Sequence, residues 1–178
     1  MKQRIKRYTI HIMATPGLNP DAFDLPMKQY GVIICTNRTN DFIDNYITRN
    51  KLVINFPDAE DKHYPGAFNR AHARVIIKFI KALPDEVTDL YVCCSKGGSR
   101  SPAVAAAILK ASGRSDAPVW HNPFYTPNLL VYERLCRAFG LFMPHIVVLW
   151  KYLINNIEYK LAKHRGNGGK YERWQILE

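Results

Sequence analysis

Apolar residues recur along the chain in short runs and in helical spacing. Three runs rich in β-branched and aromatic residues, each bounded by Gly, Pro, Asn or Asp, predict buried strands at 8–14, 31–35 and 52–56. Between 67 and 83 the apolar positions repeat with the spacing of one helical face, and Pro84 ends this pattern. The first half of the chain therefore predicts three strands followed by a helix.

The second half continues the alternation of strands and helices. A fourth strand is predicted at 89–93, and helices are predicted at 101–112, 128–139 and 144–164. This order predicts an α/β fold with a central, mostly parallel sheet flanked by helices. In the last helix the apolar residues from 146 to 161 share one face, which suits core packing, a dimer contact or a membrane surface.

The composition indicates a folded protein with a basic surface. The chain has 178 residues, of which 47% are hydrophobic, and we expect one domain over 1–178. The polar and basic segments 1–7 and 165–178 are expected to be loose termini. Lys and Arg number 25 against 15 Asp and Glu, so the net charge of +10 favours anionic partners.

The apolar segments are too short for a membrane span. The run 146–150 is interrupted by Lys151 and falls far below the ~20 residues that a spanning helix needs. The segment after the basic N-terminus lacks the apolar centre of a signal peptide, and four cysteines do not form a dense disulfide framework. We therefore expect a cytoplasmic protein with reduced thiols and no membrane span.

The most specific pattern lies between the fourth strand and the next helix. Cys94 and Arg100 bracket five residues that include two glycines, and a loop that opens a helix can direct its N–H groups at an anion. The Arg100 guanidinium suits a phosphate, and the Ser101 hydroxyl can stabilise a leaving thiolate. The predicted phosphate-binding residues are Ser95, Lys96, Gly97, Gly98, Ser99 and Arg100.

Segment 94–101 resembles the Cys-x5-Arg-Ser/Thr signature of the cysteine-dependent protein tyrosine phosphatases, dual-specificity type. The core of the resemblance covers 52–109, and it extends loosely to about 140. It implies the phosphatase type of α/β fold and hydrolysis of a phosphorylated protein or another phosphomonoester through a cysteinyl-phosphate. By this resemblance Cys94 is the nucleophile, Arg100 the transition-state clamp and Ser101 the thiolate partner. No metal or other cofactor is implied.

One position departs from the family pattern. The family usually has a histidine directly before the nucleophile, where this chain has Cys93. Two interpretations stay open: a small buried residue at the end of a strand, or a second thiol that protects Cys94 reversibly from oxidation.

The general acid is expected on a loop before the nucleophile. Related phosphatases carry a Phe-x-Asp loop at the place of 56–58, which makes Asp58 the first candidate. Asp61 lies in the same loop and is the alternative; a turn or helix-capping role is the structural interpretation of either residue. Asp116 is disfavoured, because enzymes with the acid after the nucleophile place their Cys-x5-Arg loop near the N-terminus.

Other functions remain as alternatives. An RNA 5′-triphosphatase or a phosphoinositide phosphatase would use the same loop, and a non-catalytic phosphate-binding module is suggested by Cys93. A rhodanese-type sulfurtransferase would leave Ser101 and the aspartate loop without a role. The six histidines lack the spacing of a metal site, and no RNA-recognition signature accompanies the basic charge, so nucleic acid is not a favoured partner. The sequence predicts no oligomeric state.

Overall fold

A five-stranded mixed sheet forms the centre of the fold in the computed structural model, which describes residues 5–15, 29–37, 50–165 and 175–177. The strands are β1 (Thr9–Ala14), β2 (Tyr30–Thr36), β3 (Lys51–Asn55), β4 (Asp89–Cys94) and β5 (Gln175–Leu177). Their order in the sheet is β3-β2-β4-β1-β5. The first four strands are parallel to one another, and β5 pairs antiparallel with β1.

Helices flank this sheet, so the predicted α/β architecture is confirmed. They are α1 (Arg70–Ala82), α2 (Arg100–Ala111), α3 (Ala117–Trp120), α4 (Leu129–Ala138) and α5 (His145–Arg165). The predicted strands and helices are all present with small shifts at their ends, while the single-turn helix α3 was not predicted. Among the described residues, no helix is both long and apolar enough to cross a membrane.

The two faces of the sheet carry separate apolar clusters, because successive side chains of a strand point to opposite faces. Alternate residues of β1, β2 and β4, among them Ile12, Ile33 and Val92, pack with α1, α2 and α4 in the larger core. Helix α2 is buried along almost its whole length, and its many alanines allow a close approach to the sheet. The opposite face carries a smaller cluster of Tyr30, Val32, Ile34, Tyr91 and Cys93.

The chain ends differ from the expectation of loose termini. Gln175–Leu177 form β5 on β1, and Leu177 is buried in the larger core. Near the other end, Ile5 is buried in the same core, while residues 1–4 lie outside the described part. The expectation was wrong for 175–177, because three residues of an edge strand are stabilised by pairing with a distant strand and show no local pattern.

Candidate active site

The loop of residues 95–99 lies at the middle of the sheet edge. Strand β4 lies between β2 and β1 and ends at Cys94, and α2 begins at Arg100. The loop reverses the chain within five residues, and Gly97 there has φ +70°, a conformation that side-chain-bearing residues rarely adopt. The carboxyl edge of parallel strands is where α/β folds bind their ligands.

The loop offers a set of backbone donors. None of the N–H groups of residues 95–99 donates a hydrogen bond to the part of the chain that the structure describes. Ser99 is the N-cap of α2 but makes no side-chain cap bond, because its hydroxyl is used elsewhere. Free N–H groups at the start of a twelve-residue helix favour an anion, since the helix dipole adds positive potential there.

Arg100 is held in place by two of its three nitrogens. Its Nη1 donates to the carbonyl oxygen of Phe56 at 3.0 Å, and its Nη2 donates to Ser95 Oγ at 2.8 Å. Its Nε is buried and has no hydrogen-bond partner in the structure, although Asp58 Oδ2 lies 4.0 Å away. Because an unpaired buried guanidinium donor is costly, this nitrogen is suited to a ligand oxygen.

Cys94 and Ser101 are brought together as expected from their spacing. Cys94 Sγ lies 3.2 Å from Ser101 Oγ, and both side chains are buried. Since a serine hydroxyl can donate to sulfur, it can stabilise negative charge on the thiolate. The cysteine therefore lies at the base of the loop with a neutral donor beside it.

Asp58 reaches the same loop from the segment after β3. Its Oδ1 accepts hydrogen bonds from Ser99 Oγ at 2.8 Å and from Asn128 Nδ2 at 2.9 Å. Its side chain is 39% exposed, so the carboxyl group faces both solvent and the loop. This is the position that a group exchanging protons with a bound substrate needs.

The two other aspartates lie in different surroundings. Asp61 Oδ1 accepts from His63 N at 2.9 Å, so its carboxylate closes its own turn. Asp116 is buried and accepts from Trp120 Nε1, Tyr132 Oη and Lys151 Nζ at 3.0, 2.5 and 3.0 Å.

The surroundings of Asp116 also act on its protonation. Burial by itself raises its pKa, but the hydrogen bond from Tyr132 and the charge of Lys151 outweigh burial and hold the pKa below its usual value. Asp116 thus joins three helices and has a structural role.

Asn128 is a site residue that the sequence reasoning missed. Its Oδ1 caps α4 by accepting from Val131 N at 3.0 Å, while its Nδ2 holds Asp58 and its own N–H donates to the carbonyl oxygen of Ser99 at 3.3 Å. An asparagine before an amphipathic helix is a signal for a cap, but nothing in the local sequence predicts its hydrogen bond to Asp58. Asn128 therefore connects α4, the loop of residues 95–99 and Asp58.

Cys93, which directly precedes Cys94, points to the other face of the sheet. Cys93 belongs to the apolar cluster on the opposite face of the sheet, whereas Cys94 belongs to the larger core. The thiol that shares a face with Cys94 is Cys35, which is its register partner on β2. Burial first, and the nearby Cys94 next, raise the pKa of Cys35, and burial raises that of Cys93. Both therefore stay thiols, and protection of Cys94 by Cys93 is opposed by this geometry.

Neither a scan of family models nor a search of curated proteins finds a match to this chain. In the described residues, no group of three or more His, Cys, Asp or Glu side chains is placed to hold a metal ion. The predicted site residues do lie together: Cys94, Ser101, Arg100, Asp58 and the loop between them. They bring a thiol, unpaired donors and a carboxyl group together at one sheet edge.

Proposed function

We propose that the protein hydrolyses phosphomonoesters through a cysteinyl-phosphate, as a protein tyrosine or dual-specificity phosphatase with the phosphatase type of α/β fold. The observation that supports this most is the set of unpaired donors around Cys94. The N–H groups of residues 95–99 and the buried Nε of Arg100 have no partner in the described chain. A phosphoryl group offers three equatorial oxygens, and these donors match them.

In the first proposed step, the Cys94 thiolate attacks phosphorus and the ester P–O bond breaks. Asp58 delivers a proton to the leaving oxygen, and the loop and Arg100 hold the transferred group. In the second step, Asp58 takes a proton from water as the water attacks phosphorus and the bond between phosphorus and the Cys94 sulfur breaks. Phosphate leaves, and the thiolate reforms with the Ser101 hydroxyl 3.2 Å from its sulfur. The free state of all four cysteines supports a reducing compartment, so we propose a cytoplasmic location.

The test is pre-steady-state turnover of an aryl phosphate, followed by acid trapping of the phosphoenzyme. The wild type is expected to release one equivalent of phenol per enzyme in a burst and to form an acid-stable phosphocysteine. Cys94→Ser is expected to lose both. Cys93→Ala is the matched control, because it removes a neighbouring thiol from the other face of the sheet and should keep the burst.

The alternatives give different results in the same experiment. Equal turnover in Cys94→Ser would contradict the proposal. If folded wild type binds a phosphotyrosine peptide but releases no phosphate, the site is a phosphate-binding module. Comparing phosphotyrosine and phosphothreonine peptides then defines the substrate class.

A further inference from the structure

Helix α5 contacts the rest of the protein along one side. Val148 and Asn155 are buried on this side, and Asn155 Nδ2 donates to the carbonyl oxygens of Trp120 and Asn122 at 3.0 and 3.3 Å. Lys151 extends the same side through its ion pair with Asp116 at 3.0 Å. The helix is thus attached by polar contacts as well as by packing.

The opposite side of α5 is apolar and exposed. We call it the outer face; it consists of Ile146, Leu149, Trp150, Leu153, Ile157 and Leu161. These positions recur with helical spacing, and each side chain is between 40% and 71% exposed. At 1.5 Å per residue the row is ~22 Å long. Scattered exposed apolar residues are ordinary, but a continuous row of this length marks an interaction surface.

The charges around the outer face are positive. Lys160 and His164 follow Ile157 and Leu161 by three residues and so lie on the same side of the helix, with Lys163 beside them. All three are exposed. The carboxylate of α5, Glu158, is turned to His121 at 3.0 Å on the flank. The face therefore presents apolar side chains and cations.

This combination favours an acidic partner over a second copy of the chain. Two copies would bring together like-charged lysines and two molecules of net charge +10, without carboxylates on the outer face to pair with them. The apolar row stands on a single convex helix and forms no groove. A lipid surface accepts such a convex row, because acyl chains adapt to its shape, and Trp150 on the outer face is a residue type enriched at membrane interfaces.

We propose that the outer face of α5 docks onto the surface of a bilayer that contains anionic lipids, with the helix axis parallel to that surface. The apolar row enters the boundary between headgroups and acyl chains, while Lys160 and Lys163 reach the anionic headgroups. This proposal does not depend on the proposed catalysis, since none of these residues belongs to the candidate active site.

Vesicle sedimentation of the full chain tests the proposal. Vesicles of phosphatidylcholine with about 30% phosphatidylserine are expected to bind the protein, more weakly as salt rises, and pure phosphatidylcholine vesicles much less. In the triple variant, Ile146, Leu153 and Ile157 are each replaced with glutamine. Its affinity for the acidic vesicles is expected to fall about tenfold or more. Lys160→Gln with Lys163→Gln should lower affinity by about tenfold and weaken the salt dependence.

Controls separate binding from folding and locate the contact. Val75→Gln on α1 is the matched control, because it also replaces an exposed apolar side chain, 46% exposed, and should bind as wild type. The variants should unfold at the wild-type temperature, because the replaced side chains are already exposed. Brominated lipids should quench tryptophan fluorescence in wild type and much less in Trp150→Phe, which should still bind.

Two outcomes would overturn the proposal. One is a wild-type protein that fails to sediment with acidic vesicles at low salt. This includes the case in which sedimentation velocity shows a dimer formed through the outer face, and the case in which the outer face binds only an acidic protein. The other is vesicle binding that the triple variant retains in full. Neither outcome bears on phosphatase activity, which is measured separately on a soluble aryl phosphate.

Discussion

Replacing Asp58 with asparagine tests whether this carboxyl group moves the proton of the proposed reaction. Asparagine has the same shape and keeps an oxygen that can accept from Ser99 and Asn128, as Oδ1 of Asp58 does at 2.8 and 2.9 Å. The variant loses the exchangeable proton and the negative charge. The loop geometry should therefore survive while proton transfer does not.

The expected effect of this substitution on stability is much smaller than its expected effect on the rate. Asp58 has a side chain that is 39% exposed, so its removal should change the free energy of unfolding by less than about 1 kcal/mol. General acid catalysis contributes ~10²–10⁴-fold, which corresponds to a rise of ~3–5 kcal/mol in the barrier. A large fall in kcat with an almost unchanged unfolding curve is expected.

The assay measures kcat and kcat/KM for a series of aryl phosphates whose phenols differ in basicity. The ratio kcat/KM reports the step that releases the phenol, even where hydrolysis of the phosphocysteine limits kcat. The loss in Asp58→Asn should grow as the leaving phenol becomes more basic, because a poorer leaving group needs its proton earlier. Urea unfolding of both proteins provides the stability measurement.

Asp61→Asn is the matched control. Asparagine keeps the oxygen that accepts from His63 N, so this variant should turn over substrate at close to the wild-type rate. The reasoning would be refuted if Asp58→Asn kept wild-type kcat for phenyl phosphate, or if Asp61→Asn showed the leaving-group dependence instead.

Two further predictions follow from buried polar contacts. Asn128→Ala should lower kcat about tenfold, because Asp58 loses a positioning donor, and stability by ~1–2 kcal/mol through the lost cap. Asn128→Ser should restore stability in urea unfolding, because serine is an equally good N-cap, but not kcat, because its side chain lacks the amide that donates to Asp58; full activity in it would contradict positioning. Asp116→Asn should cost ~2–4 kcal/mol at neutral pH, since Lys151 loses its partner. The folded pKa of Asp116 lies below its ordinary value of 3.8, so this stabilisation is present above pH 3.8 and is lost as pH falls through the folded pKa. The difference from wild type in urea unfolding should therefore shrink at low pH; a difference independent of pH would exclude a role for the charge.

The local patterns of the sequence predicted most of the fold. Apolar runs and helical spacing predicted four of the strands and four of the helices, because the periods of a strand and of a helix are visible within a few neighbouring residues. The geometry of the loop 95–99 is also a local feature. Cys94 and Ser101 are seven residues apart and lie 3.2 Å from each other, because Cys94 ends a strand, five loop residues follow, and Ser101 lies in the first turn of the next helix. This part of the site follows from short-range geometry.

Long-range contacts needed the tertiary structure. Asp58 and Asn128 are 70 positions apart, and no spacing along the chain shows that they share a hydrogen bond or that Asp61 turns back on its own loop. The pairing of β5 with β1 is of the same kind. Such contacts depend on which elements pack together. Hydrophobic periodicity indicates that one face of a helix or strand is apolar, but it does not indicate which element packs against that face.

The sequence by itself thus determined the α/β fold and the candidate anion-binding loop between Cys94 and Arg100. Only the tertiary structure decided which aspartate faces that loop, and that Cys35 rather than Cys93 shares a face with Cys94. It also decided that the apolar side of α5 is exposed, where the same periodicity fitted a buried helix equally well. The physical reason is the same in all three cases. Periodicity determines which way a side chain points from its own helix or strand, and the packing of the elements determines which residues it contacts.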